Sequence, residues 1–202
     1  MQSLISQEKH HHCQTLMQIF DDCFFEQYNT RLILGQDEPF YQAANESCHY
    51  HSVIFAHGFF SSALHECAHW LIAGKKRRLL DDYGYWYIPD GRNANEQQEF
   101  QGVEAKPQAL EWILCQAANF PFQPSIDNLG GVEVNRKEFL TAIYQEVVHY
   151  CKKGLPLRAK SLFNALSHFY QGLSELHLAP FTRQYEEQMS KLTQSEEELC
   201  HI

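Results

Sequence analysis

Two histidines four residues apart constrain this chain more than anything else in it. His65-Glu66-Cys67-Ala68-His69 lies inside the run FFSSALHECAHWLIA, residues 59–73. Four residues of α-helix turn through slightly more than one full turn, so His65 and His69 leave the same face and can close on one metal ion. The run supports a helix. Phe60, Leu64, Cys67, Ala68, Leu71 and Ile72 form an apolar stripe at helical spacing. Ser61 or Ser62 is the expected cap and Gly74 the expected exit. Lys75, Lys76, Arg77 and Arg78 then crowd the end where cations complement the helix dipole. The pattern predicts a helix buried on one side, with its two histidines at the margin of that side. The plain alternative is a core helix with two hydrogen-bonded histidines. Glu66 is the candidate catalytic group, beside the metal's open side and not necessarily bound to it.

A metal helix needs a third ligand, and the next informative stretch is residues 96–114, EQQEFQGVEAKPQALEWIL. Pro107 is expected to begin a helix at its first turn, with Ala109, Leu110, Ile113 and Leu114 on its buried face. Glu104, three residues before that proline, is the expected third ligand. Glu111, one turn further in, and Glu99, before a break at Gly102, are held in reserve. For each carboxylate the alternative is a solvated side chain.

The remaining chain reads as a helix-rich α+β domain spanning residues 1–202. Residues 8–28 look helical, with Leu16, Ile19, Phe20, Cys23 and Phe24 on one side. His10, His11 and His12 at its start point in different directions and are expected to face solvent. Residues 31–35 and 50–56 are strand candidates separated by a turn at 36–39. His49, His51 and His57 lie within reach of the metal helix in sequence, and a supporting role suits them better than ligation. Residues 83–89, YGYWYIP, read as an aromatic edge strand ending at Pro89. Three further helices follow, over 135–152, 158–176 and from Pro180 towards Cys200. The second buries Leu162, Phe163, Leu166, Phe169 and Tyr170.

Composition narrows the setting. No apolar run approaches the length of a membrane span, and the first residues carry no signal-peptide core; a cytoplasmic protein without membrane attachment is expected. The seven cysteines are scattered without a C-x-x-C pair, which suits buried thiols in a reducing compartment. A formal net charge of -9 argues against broad nucleic-acid binding and suits a cationic substrate.

Two chemistries fit such a site. With zinc, Glu66 would deprotonate a metal-bound water and the centre would be a zincin-type metallopeptidase. With iron, two histidines and one carboxylate leave positions open for oxygen and substrate. Residues 55–70, 77–87 and 103–112 together resemble a bacterial family, the elongation factor P hydroxylases, and the resemblance extends over nearly the whole chain. It implies a zincin-like fold and a non-haem iron monooxygenase. The substrate it implies is the β-lysylated lysine of elongation factor P, hydroxylated by molecular oxygen as the last step of that modification. His65 and His69 match the family's paired ligands, and Glu104 is the match for its carboxylate. Zinc binding in vitro fits the same ligands. No flavin or nicotinamide fingerprint is present, so the reductant or co-substrate is expected to be external. Tyr85 and Tyr87 are candidates to hold the cationic side chain by cation–π contact, with Asp82 and Glu111 as acidic partners and Asp81 and Glu99 behind them. The basic run at residues 75–78 is a candidate dock for an acidic region of the protein substrate.

Overall fold

The computed structural model describes residues 11–84, 94–125 and 135–199, with side chains except at 94–99 and 196–199. Its elements in chain order are α1 (Cys13–Tyr28), β1 (Thr30–Leu34), β2 (Phe40–Gln42), β3 (His51–Phe55) and α2 (Phe60–Ile72). Two short 3-10 turns, Arg77–Leu79 and Asp81–Gly84, come next. They are followed by α3 (Ala94–Ala117), α4 (Arg136–Lys153), α5 (Leu157–Tyr170) and α6 (Ala179–Leu199). The sheet order is β1-β3-β2, with β1 parallel and β2 antiparallel to β3. This is a small mixed sheet beside a helical body, an α+β architecture.

The sheet starts where α1 stops. Asn29 takes the left-handed conformation at φ 49 and its side chain donates to His49 O, so α1 turns directly into β1. Leu32, Val53 and Tyr41 share a row across the three strands and face the core. β2 is absent from the sequence expectation, which placed only a turn before it. Three residues cannot show a convincing alternation, and Asp81 and Asp82 complete the strand from outside. Their Oδ1 atoms accept the Ala43 and Tyr41 N–H groups, each at 2.8 Å.

α2 forms where the apolar stripe predicts a helix, but its ends differ from the expectation. Its N-cap is Phe59, with no side-chain cap bond, so neither Ser61 nor Ser62 caps it. At the other end its carbonyls are met from a distance. Arg158 of α5 donates from Nη2 to Leu71 O (3.0 Å) and Ala73 O (2.7 Å), and Arg78 donates to Ala73 O. The Arg158 guanidinium lies 4.4 Å over the Trp70 ring. Arg78 therefore turns inward, while Lys75, Lys76 and Arg77 stay exposed. Trp70 packs on Phe20 and Phe24, tying α2 to α1.

The largest correction concerns α3. It runs unbroken through Gly102 and Pro107, so the proline does not begin a helix and the glycine does not break one. Pro107 leaves the Val103 carbonyl without its usual partner. Val103 is itself exposed, while the residues beyond pack inward. The far end of α3 is pinned by the chain after α5. Leu173 N–H donates to Gln116 O at 2.9 Å, and a Cβ at Gly172 would collide with Ala117 O, so only glycine passes there.

Smaller differences have similar causes. His11 is half-buried rather than solvent-facing. Its ring stacks on Tyr170 at 4.7 Å, and Nε2 donates to Ala118 O at 2.7 Å. The helix expected over 158–176 ends at Tyr170, where Gln171 turns left-handed, and Phe169 is partly exposed. Tyr83, expected to start an extended strand, sits in a left-handed turn; residues 85–89 lie outside the described residues.

Candidate metal centre

α2 supplies two imidazoles and α3 supplies two carboxylates. Glu104 and Glu111 are seven residues apart, two helical turns, and so share one face of α3. Both are buried, at 4% and 6% exposure. Glu104 reaches between the histidines. Its Oε2 lies 3.4 Å from His65 Nε2 and its Oε1 lies 3.4 Å from His69 Nε2, while the two Nε2 atoms are 3.0 Å apart. Among the described residues this is the one group of three histidine, cysteine or acidic side chains placed to share a metal ion.

Glu111 stands behind the cluster. Its Oε2 lies 2.9 Å from His65 Nδ1. A carboxylate only accepts, so in the neutral imidazole of His65 the proton sits on Nδ1 and the Nε2 lone pair is left for the site. This is the arrangement that orients a metal-binding imidazole.

The electrostatics favour a cation at this point. Burial opposes charge on His65, but its hydrogen bonds to Glu104 and Glu111 outweigh that and raise its pKa well above the ordinary imidazole value. Burial also acts against Glu104. There His69 and His65 prevail and hold its carboxyl far below the usual carboxylate range. Glu66 goes the other way. Burial pushes its carboxyl up against the pull of His69 and His65, with Glu104 and Asp82 adding to the rise. A carboxyl raised in this way is suited to moving protons.

The donor set fits a mononuclear metal. Ligand atoms 3.0–3.4 Å apart have the spacing of donors that share one ion at roughly 2.0–2.2 Å. Two neutral imidazoles and one carboxylate suit iron or zinc, and three protein ligands leave other positions open.

The other sequence candidates fall elsewhere. His57 is exposed, and His51 Nδ1 accepts the Ala44 N–H at 2.9 Å. One Asp82 oxygen is taken by the Tyr41 amide. Glu99 lies on α3, its side chain outside the described part, and Tyr85 and Tyr87 are outside the described residues. The sequence reading missed Arg158. Nothing local marks Arg158, which acts on carbonyls 85 and 87 residues away. The seven-residue spacing of Glu104 and Glu111 was a usable signal, hidden by the supposed helix start at Pro107.

An α+β fold that brings two imidazoles and a buried carboxylate to one point defines the class: a protein with a candidate mononuclear metal centre between two helices. The family model for elongation factor P hydroxylase matches residues 19–181. The chain is 52% identical over 171 residues to the elongation factor P lysine hydroxylase of Haemophilus influenzae, a match covering 85% of this chain and 96% of that relative. This protein belongs to the elongation factor P hydroxylase family.

Proposed function

We propose that this protein is a non-haem iron monooxygenase that hydroxylates the β-lysylated lysine of elongation factor P, as the last step of that modification, in the cytoplasm. The observation that carries the reading is the convergence of His65, His69 and Glu104, with Glu111 fixing the His65 tautomer. The name of the Haemophilus relative supports the reaction and its protein substrate. No helix among the described residues is long and apolar enough to cross a membrane.

In this reading the fold is zincin-like and the centre binds iron through His65, His69 and Glu104. Iron held there would supply oxygen activation, with one oxygen atom entering a C–H bond and the other leaving as water, at the expense of two electrons from an external reductant. The chain's own residues do the rest. Glu111 holds the proton on His65 Nδ1, which makes Nε2 the ligating nitrogen and aims it at the centre. Glu66, with its raised carboxyl, accepts or returns a proton at the open side. Glu66 and the ligand carboxylate make the mouth attractive to the substrate ammonium. Tyr85 and Tyr87 are assigned to that ammonium from the sequence alone, each cation–π contact contributing about 0.5–2 kcal/mol.

The His-Glu-x-x-His spacing on α2 favours a second reading, a zinc metallopeptidase with Glu66 as general base. One experiment separates the two. Iron-loaded protein is incubated in air with a reductant and β-lysylated elongation factor P, and the product is weighed by mass spectrometry. A gain of one oxygen on the modified lysine, lost in His65→Ala, is expected. A cleaved chain would replace the hydroxylase reading with the peptidase, and an unchanged mass would remove both for this substrate.

A further inference from the structure

The chain is acidic, with 25 aspartates and glutamates against 16 lysines and arginines. Half of those cations nevertheless fall in two short stretches. One holds Lys75, Lys76, Arg77 and Arg78, and the other holds Lys152, Lys153, Arg158 and Lys160. No acidic residue lies between Glu66 and Asp81, or between Glu146 and Glu175. The stretches are far apart in the chain, and nothing in the sequence joins them.

The fold does. Through its bonds to Leu71 O and Ala73 O, Arg158 sets the start of α5 against the end of α2. Lys75 and Lys76 follow that clamp on one side, and Leu157 and Lys160 flank it on the other. Lys152 and Lys153 are the last residues of α4, a short link from α5. Lys75, Lys76, Arg77, Lys152, Lys153 and Lys160 are all exposed, and among the described residues the five lysines enter no ion pair. Leu79, Leu80 and Leu157 stand among them at 64%, 52% and 84% exposure. Uncovered apolar side chains rimmed by charge suit a protein-docking surface. The face also adjoins the metal helix. Ala73 N–H donates to His69 O, so the chain is helical up to that point, and Lys75 Cα lies within about 15 Å of His69 Cα. An ordinary interface covers roughly 800 Å² of each partner, so one protein seated here also reaches the centre.

We infer that this face, made by residues 75–80 and 152–160, docks an acidic and partly apolar surface of the protein whose lysine the centre modifies. The identity of that protein rests on the proposed function. The three leucines favour a protein over a nucleic acid, since phosphates would engage the lysines and leave the leucines bare. A nucleic acid would also extend its charge past the face onto the acidic remainder of the molecule, whereas an acidic patch on a protein matches the face alone. Docking of this kind holds the ground state and the transition state equally, so it acts on KM and not on kcat.

One variant combines Lys75→Gln, Lys76→Gln, Lys152→Gln, Lys153→Gln and Lys160→Gln; a second carries Leu157→Ser. All six residues are exposed, so Tm and metal stoichiometry should not change. Affinity for β-lysylated elongation factor P is measured by calorimetry over a range of salt, on protein loaded with Zn(II), a redox-silent probe. The lysine variant should bind about tenfold more weakly at low salt and lose most of the salt dependence. Leu157→Ser should bind about fivefold more weakly with its salt dependence kept. In turnover by the iron-loaded protein, KM for the modified protein should rise in the lysine variant with kcat unchanged, and KM for a short peptide carrying the same lysine should stay as it is. Unchanged affinity in the lysine variant would overturn the inference and leave the proposed reaction standing. Binding that depends on the lysines without any gain of oxygen would uphold the dock and remove the reaction. A wild type that does not bind the modified protein would overturn the inference. So would an RNA duplex whose binding alone is lost in the lysine variant, which would make the face a nucleic-acid site.

Discussion

The two helices that build the centre differ in how they carry their ligands. α2 places His65 and His69 one turn apart on 13 residues of strong amphipathic helix. α3 places Glu104 and Glu111 two turns apart on 24 residues that include an internal proline and glycine. The first arrangement is complete within its own segment. The second acquires meaning only when α3 lies against α2, with Glu111 reaching across 46 residues of sequence to His65. A ligand pair on one turn is therefore a local property. The carboxylates that complete it and set its tautomer belong to the packing.

This contrast is most directly broken at the ligands. His65→Ala, His69→Ala and Glu104→Ala should each abolish stoichiometric metal binding and hydroxylation, read by metal analysis after loading and desalting and by product mass. If Glu104→Ala kept its metal while Glu111→Ala lost it, the roles of the two α3 carboxylates would be reversed. Next in size, Glu111→Gln should still bind metal but about 10–100-fold more weakly, as expected when the partner of a ligating imidazole is replaced; competition with a chelator measures it. The clamp on α2 comes third. Arg158→Met leaves the Leu71 carbonyl without its charged donor and the Ala73 carbonyl with Arg78 alone. It should cost about 2 kcal/mol, a fall in Tm of about 4–8 °C, with metal stoichiometry retained. The smallest effect is expected on α3 itself. A Cβ at Gly102 would meet nothing within 4 Å, so Gly102→Ala should raise Tm by about 2–4 °C through helix propensity alone. A fall there would mean that α3 needs its glycine.

Much of the helical body was legible in advance. The apolar stripes over α1, α2, α4 and α5 repeat with a helical period, and β1 and β3 read as short apolar runs. The failures share a cause. Local rules stop a helix at Gly102 and Pro107, but α3 is buried against α2, α4 and α5, and that packing outweighs the local penalty. The hydroxyls of Ser61 and Ser62 promised a cap that the chain entry at Phe59 does not use. β2 is too short to announce itself, and it depends on two aspartates about 40 residues downstream. His11 lay in a polar-looking triplet, yet Phe60, Phe120 and Tyr170 close an aromatic box around it.

What the sequence by itself determined is the pair of histidines and the helix that presents them, because a four-residue spacing and an apolar stripe are both expressed within one element. The sequence also named Glu104 as the expected third ligand, but its closing between the imidazoles, the placing of Glu111 behind His65 and the Arg158 clamp were decided by the tertiary structure. Each depends on the distance between segments far apart in the chain, and hydrogen bonds and ion pairs fall off within a few ångströms. Only the packed fold sets those distances.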